Sequence, residues 1–213
     1  MRITVFGANL LLGTRIVHLC IHQGISVTAF ARNIDQFIDE DNRTKDLLAV
    51  KGYVLDTKDV AKGLKNADAV IVLFNNTSFE PSDKSRSIGI KNIIAQMQLN
   101  NIRRIVVLGG MGILQNQEGE FLLDTPEFPA ELIPMAKEQL LAYNYLSNSG
   151  LDWTYYCPES IIEQDETGLF ITNMEELPST NNHYIYAGDL ALSMIQSIKK
   201  NAFIHARVGI SNI

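Results

Sequence analysis

The stretch Ile3-Thr4-Val5-Phe6-Gly7-Ala8-Asn9-Leu10-Leu11-Leu12-Gly13 joins a short apolar, β-branched run to a helical pattern through a turn framed by two glycines. From Thr14 onward Ile16, Val17, Leu19, Cys20 and Ile21 make one apolar stripe, and Gly24 stops it. A strand, a tight turn and a helix in that order open a βαβ unit. Whatever the rest of the chain does has to be compatible with a parallel sheet.

Outward from that unit, β-branched runs recur at 25–30, 53–55, 69–74, 105–108 and 153–156, with helical patterns between them. The run Ala69-Val70-Ile71-Val72-Leu73-Phe74 is apolar on both faces, as expected where helices cover both sides of a sheet. Pro81-Ser82-Asp83 opens a helix whose core face carries Ile90, Ile93, Ile94 and Met97. Another helix runs from about 129 to 149 and stops at Gly150. The expected fold class is α/β, a doubly wound parallel sheet formed as a single domain over residues 1–213. Segments 114–128 and 163–182 lack strong periodicity and follow strand ends, where ligands bind in such sheets, so they are candidate walls of a substrate pocket.

Composition narrows the function classes. The 213 residues carry a formal net charge of −6, and no run of Lys or Arg exceeds two. Nucleic-acid binding needs a clustered basic face, so it is set aside. The N-terminal apolar run ends at Gly7, too short for a signal peptide or membrane span. The two cysteines, Cys20 and Cys157, form no CxxC pair, and a reduced, cytoplasmic protein is expected.

The turn itself carries chemistry. In a dinucleotide-binding sheet the first glycine of G-x-G-x-x-G makes the tight turn, the middle one admits the pyrophosphate, and the last lets helix pack on strand. Gly7 and Gly13 hold the first and last places, and Leu10 holds the middle one. Two glycines six apart also fit an ordinary strand-to-helix turn. The N-terminal strand before them and the helix after them are the context that the phosphate-binding reading requires. Amides of Asn9, Leu10, Leu11 and Leu12 are then expected to face phosphate. Arg32 ends the second run, 19 positions after Gly13, where an NAD site would carry Asp or Glu for the ribose 2′-hydroxyl. An Arg there accepts a 2′-phosphate, and NADPH is the expected cofactor.

With those residues stated, the chain resembles the atypical short-chain dehydrogenase/reductase group that includes NmrA-like proteins and biliverdin reductase B-like flavin reductases. The likeness spans nearly the whole length and implies a Rossmann-type NAD(P)-binding fold. Gly7 to Gly13 matches the family's Gly-Ala-Thr-Gly-x-x-Gly, with Asn9 for Thr and Leu10 for Gly. Arg32 matches its 2′-phosphate arginine, and Val54-Leu55-Asp56 its third-strand motif, whose Asp lies near adenine. By the same likeness the cofactor passes Leu73, Phe74 and Asn75 at the fourth strand end and Gly109 and Gly110 after the fifth. Lys137 matches a helix lysine that nears the nicotinamide ribose and is the one catalytic candidate. Cys157 and Pro158 close the sixth strand, with Cys157 where the family carries Arg.

Typical short-chain dehydrogenases use Tyr-x-x-x-Lys, in which Lys lowers the phenol's pKa for proton exchange with substrate oxygen. Ile133 stands four residues before Lys137, and Gly109 or Gly110 occupies the usual serine place. Alcohol–ketone chemistry by that route is not expected. Hydride delivery to a flavin or quinone is less demanding, because the acceptor is an electron sink and solvent supplies the proton. The leading expectation is thus an NADPH-dependent oxidoreductase with a flat flavin- or quinone-like acceptor. The alternatives are a non-catalytic NAD(P)H sensor acting through a protein partner, and a scaffold that lost its cofactor through Leu10. His18 and His22 lie four apart on one helix, but without a third ligand they are read as exposed residues rather than a metal site. Cys157 is read as packing, with a redox thiol as the sharper alternative. Glu159, Glu163, Asp165 and Glu166 are read as a solvated loop.

Overall fold

The computed structural model describes residues 1–41, 44–74 and 84–213, with the side chains of 39–41 excepted. In chain order the elements are β1 (Arg2–Phe6), α1 (Leu11–His22), β2 (Ser26–Ala31), α2 (Asp35–Asp41), β3 (Leu47–Lys51), α3 (Thr57–Gly63), β4 (Ala69–Val72) and α4 (Ser85–Leu99). They continue with β5 (Arg104–Leu108), α5 (Ile133–Ser147), β6 (Asp152–Tyr156), β7 (Ile161–Ile162), β8 (Phe170–Met174), β9 (Ile185–Tyr186), α6 (Ala187–Lys199) and β10 (Ala206–Asn212). Eight strands form one sheet in the order β3-β2-β1-β4-β5-β6-β10-β8. All neighbours are parallel except β8, which runs antiparallel to β10 at the edge. The fold is the expected doubly wound, Rossmann-type α/β sheet.

Helices cover both faces. Ile16, Val17 and Cys20 of α1 and Leu190, Met194 and Ile195 of α6 pack with Ile3, Val5 and Ile71 in one core cluster. On the other face Ile90, Ile93 and Met97 of α4 and Ala142 and Leu146 of α5 pack with Val70, Ile105 and Val107 in a second. Successive residues of β1, Val5 and Phe6, thus belong to different cores, which is why these strands are apolar throughout. Among the described residues no helix is long and apolar enough to cross a membrane.

Several expectations need correction. The third strand is 47–51 rather than 53–55, and Leu47 pairs with Val27 and Lys51 with Ala31. Its short, half-exposed pattern at the sheet edge hid it, while Tyr53, Val54 and Leu55 form the connection to α3. The first helix starts at Leu11, not Thr14, whose hydroxyl instead bonds back to the Ala8 and Leu10 carbonyls at 3.2 Å each. The segment 163–182, read as aperiodic pocket wall, contains β8, whose residues Phe170 and Met174 pair with Asn212 and Val208. Both β8 and β10 were missed. Pro81-Ser82-Asp83, expected to open the fourth helix, lies outside the described residues, as does Asn75, whereas the core face Ile90, Ile93, Ile94 and Met97 is buried as expected.

Candidate functional site

The strand order reverses between β1 and β4, and an open doubly wound sheet binds ligands at the carboxyl ends beside that reversal. A cleft of about 480 Å³ lies there, within the usual size of a cofactor site. Its floor is Phe6, Gly7 and Leu73, at the ends of β1 and β4, and Asn9 and Leu10 form the rim before α1. Ala31 and Arg32 follow β2, Tyr53, Val54 and Leu55 follow β3, and Phe74 and Ser85 bound the far side.

The turn is built as the motif's mechanism demands at two of its three glycine places. Gly7 has φ +82°, and a side-chain carbon there would come within 2.2 Å of the Leu73 carbonyl oxygen. At Gly13 such a carbon would sit 2.3 Å from the Gly7 oxygen, so only glycine lets α1 approach the turn this closely. Leu10 occupies ordinary extended backbone at φ −71°, ψ 154°, needs no glycine, and packs partly against the first core cluster. It precedes α1 with no side-chain cap, and the first turn of that helix holds no acidic residue. The amides of Leu11, Leu12 and Gly13 therefore lie in the uncapped first turn, the usual anion-binding end of a helix.

Two walls are positioned by identifiable contacts. Asn92 of α4 donates from Nδ2 to the carbonyls of Val54 and Leu55, 3.1 Å each, which holds the Tyr53–Leu55 wall against the cleft. Phe30 packs against Phe6 in a tilted contact, ring centroids 4.7 Å apart and planes at 55°, beneath Gly52 and Gly63. Arg32 is exposed on the cleft wall, and among the described residues no carboxylate pairs with it. Asp56, matched to an adenine-side acid, caps α3 instead, accepting from the amides of Lys58 at 2.8 Å and Asp59 at 3.2 Å.

At the end of β5 the absent serine has a spatial explanation. The Tyr155 ring stands 2.1 Å from where a side-chain carbon on Gly109 would be, so that place is taken by an aromatic ring from β6. Beside Gly110 lies the amide of Gln139 from α5. Burial pushes the Tyr155 phenol far up, so it stays protonated. Lys137 is exposed on the first turns of α5, while its neighbours Glu138 and Gln139 turn inward. Glu138 accepts from the Ser87 amide at 3.0 Å and stands 3.5 Å from Lys84 Nζ, tying α5 to the start of α4. The sequence reading passed over Glu138 and Gln139. Their signal was the i, i+3 relation of Gln139 and Ala142 on the buried face of α5.

Cys157 and Pro158 are both buried at the end of β6, outside the cleft lining. The Cys157 amide donates to Val208 across the sheet at 2.8 Å, and burial drives its thiol well above the ordinary range, so the redox reading is set aside in favour of packing. Among the described residues no three potential ligands gather for a metal, and His18 packs edge-on to Phe37. Glu159, Glu163, Asp165 and Glu166 are exposed, yet two are paired: Asp165 with Arg15 of α1 at 2.7 Å and Glu159 with His183 at 2.8 Å. The segment 114–128 is held down by Arg207 of β10. Its guanidinium lies between the rings of Phe121 and Tyr143, 5.0 and 5.2 Å from their centroids, pairs with Glu175, and donates to the Ile113 carbonyl at 2.7 Å.

Comparison with known proteins agrees with this geometry. The family model described as NAD(P)H-binding matches residues 7–201. The uncharacterized protein YwnB of Bacillus subtilis is 25% identical over 207 residues, covering 93% of this chain and 92% of that protein. A proposed NADH-flavin reductase from Streptococcus pneumoniae is 25% identical with a TM-score of 0.82, over 100% of both chains. A proposed exported protein from Burkholderia pseudomallei is 27% identical with a TM-score of 0.84, over 99% of both chains.

Proposed function

Because the chain belongs to this NAD(P)H-binding family, we propose that it is an NADPH-dependent reductase that passes hydride to a flavin- or quinone-like acceptor. One observation carries the cofactor choice. Arg32 stands on the cleft wall with no carboxylate partner among the described residues, as a 2′-phosphate would need. The residues present fit a dinucleotide: an uncapped helix start for pyrophosphate, the Tyr53–Leu55 wall for the adenosine half, and a floor closed by Gly7. When bound, the reduced nicotinamide supplies a hydride.

The chain's own residues orient and exclude water more than they move protons. Neither glycine at the end of β5 offers a hydroxyl, Ile133 stands where the phenol of a Tyr-x-x-x-Lys pair would be, and Lys137 is an exposed cation outside the cleft lining whose place near the ribose rests on the family resemblance. That set suits an acceptor that is itself an electron sink. The flavin reductase name of the Streptococcus pneumoniae relative supports the same class. Two free, buried thiols fit the reducing cytoplasm, where we place the protein. The test follows NADPH absorbance with a panel of flavins, quinones, aldehydes and secondary alcohols. Turnover with flavin or quinone alone is expected. Tight NADPH binding without turnover of any acceptor contradicts a reductase and leaves a cofactor sensor, and carbonyl turnover at ordinary enzymatic rates contradicts the acceptor class.

A further inference from the structure

Gln139 is buried at 2% exposure, and among the described residues its side-chain amide makes no hydrogen bond. Its amide atoms are not among the fully buried side-chain atoms that lack a partner, so what little exposure the residue keeps includes its amide, which is open to a ligand or water. Its surroundings are specific. A side-chain carbon placed on Gly110 would lie 3.2 Å from Oε1 and 3.4 Å from Nε2, so the amide abuts bare backbone at the carboxyl end of β5. Beside it the Tyr155 ring fills the place of a side chain on Gly109. Strand β5 neighbours β4, whose end lines the cofactor cleft. The residue sits on α5, held to the start of α4 by Glu138, so its backbone is fixed rather than on a loop.

We propose that the Gln139 amide is the neutral hydrogen-bond donor that this site offers to the carbonyl edge of the acceptor, in place of the missing serine and tyrosine. The inference rests on the reductase reading above. Reduction of a flavin acceptor breaks the dihydropyridine C–H bond and forms an N–H bond at flavin N5, oxidising the nicotinamide and reducing the flavin. The displaced electron pair ends on the N1–C2=O edge, and water delivers the proton there. An amide N–H aimed at that edge holds the developing negative charge without titrating. An uncharged donor also gives no pH dependence of its own, unlike a Tyr–Lys pair.

The test compares the wild-type chain with Gln139→Met, which keeps length and removes the amide, and with Gln139→Leu should the first not fold. If the amide served only structure, its loss would lower the melting temperature. Because no hydrogen bond to it is made among the described residues, a nearly unchanged melting temperature is expected. NADP+ affinity should stay within about two-fold. FMN binding to the NADP+ complex, read by fluorescence quenching, should weaken about 3- to 10-fold, as for one hydrogen bond. Hydride transfer to FMN should fall about 100-fold, as for the loss of one donor to a developing charge. Wild-type protein that binds and reduces FMN, beside variants that do so equally well, overturns the role of Gln139 alone. Wild-type protein that neither binds nor reduces FMN overturns the reductase reading and this inference with it.

Discussion

Leu10→Gly restores the middle glycine of the phosphate turn, and its consequences for folding and binding are expected to have opposite signs. Leu10 adopts extended backbone that glycine can also adopt, so no strain is relieved or created. Glycine adds unfolded-state entropy of up to ~1 kcal/mol. Removing a side chain that is only partly buried against the first core cluster costs about 1 kcal/mol more, roughly half the value of a fully buried leucine. Glycine is a better N-cap than leucine and offsets a few tenths. The net loss of ~1–2 kcal/mol lowers the melting temperature by about 2–8 °C. Affinity should move the other way, because the Leu10 side chain lines the cleft beside the uncapped amides of α1. One further amide–phosphate bond is worth ~1.5–3 kcal/mol, or about 10- to 100-fold tighter NADPH binding. Titration calorimetry beside scanning calorimetry separates the two. If the variant is folded and binds NADPH more weakly, Leu10 is a favourable contact and the reasoning fails.

Arg32→Ala should reduce NADPH affinity about 10-fold, near the lower end for a charge-assisted contact because the guanidinium is exposed, while NADH affinity stays nearly constant; a parallel loss for both cofactors would show a structural role. Asp189, fully buried at the start of α6, accepts from Asn212 Nδ2 at 2.6 Å, Gly168 N at 2.7 Å, Thr167 Oγ1 at 2.8 Å and Thr167 N at 2.9 Å. Burial alone would raise its carboxyl, but these bonds together hold it below the usual value. A depressed folded pKa contributes stability that is present above the unfolded value of about 3.9 and is lost as pH falls through the folded one. Asp189→Ala should therefore cost about 2–4 kcal/mol in denaturant melts between pH 5 and 8, a gap that narrows below about pH 4; a gap independent of pH down to 2 would refute the carboxylate's part. Burial pushes the Cys20 thiol up to about 12 and that of Cys157 further still, so neither should react with iodoacetamide at pH 8 until the protein is unfolded, and rapid native labelling would contradict their placement.

The parts of the fold that were legible were those whose residues face two cores or none. Runs such as Ala69 to Val72 are apolar throughout because both faces are covered, and the paired glycines at 7 and 13 mark a turn that tolerates no side chain. Edge elements were harder to read. Leu47–Lys51 has one neighbour in the sheet, and Phe170–Met174 exposes Ile171 and Met174, so neither carries an uninterrupted apolar signature. Strand β10 hides polar residues such as Arg207 and Asn212 in the interior, where ion pairing and amide bonds replace apolar contact. The cofactor end of the site was readable because local backbone builds it. The acceptor end was not, since Tyr155, Gln139 and Gly110 meet only through the packing of α5 on the sheet, and the motif-matching Lys137 is exposed while the next two residues, Glu138 and Gln139, turn inward.

The central claim is that the cleft beside the β1–β4 reversal holds NADPH in preference to NADH. Titration calorimetry of the unmodified protein with each reduced cofactor tests it most directly. Binding of NADPH at least several-fold tighter than NADH is the expected result, and equal affinity for the two, or no binding of either, would contradict the account.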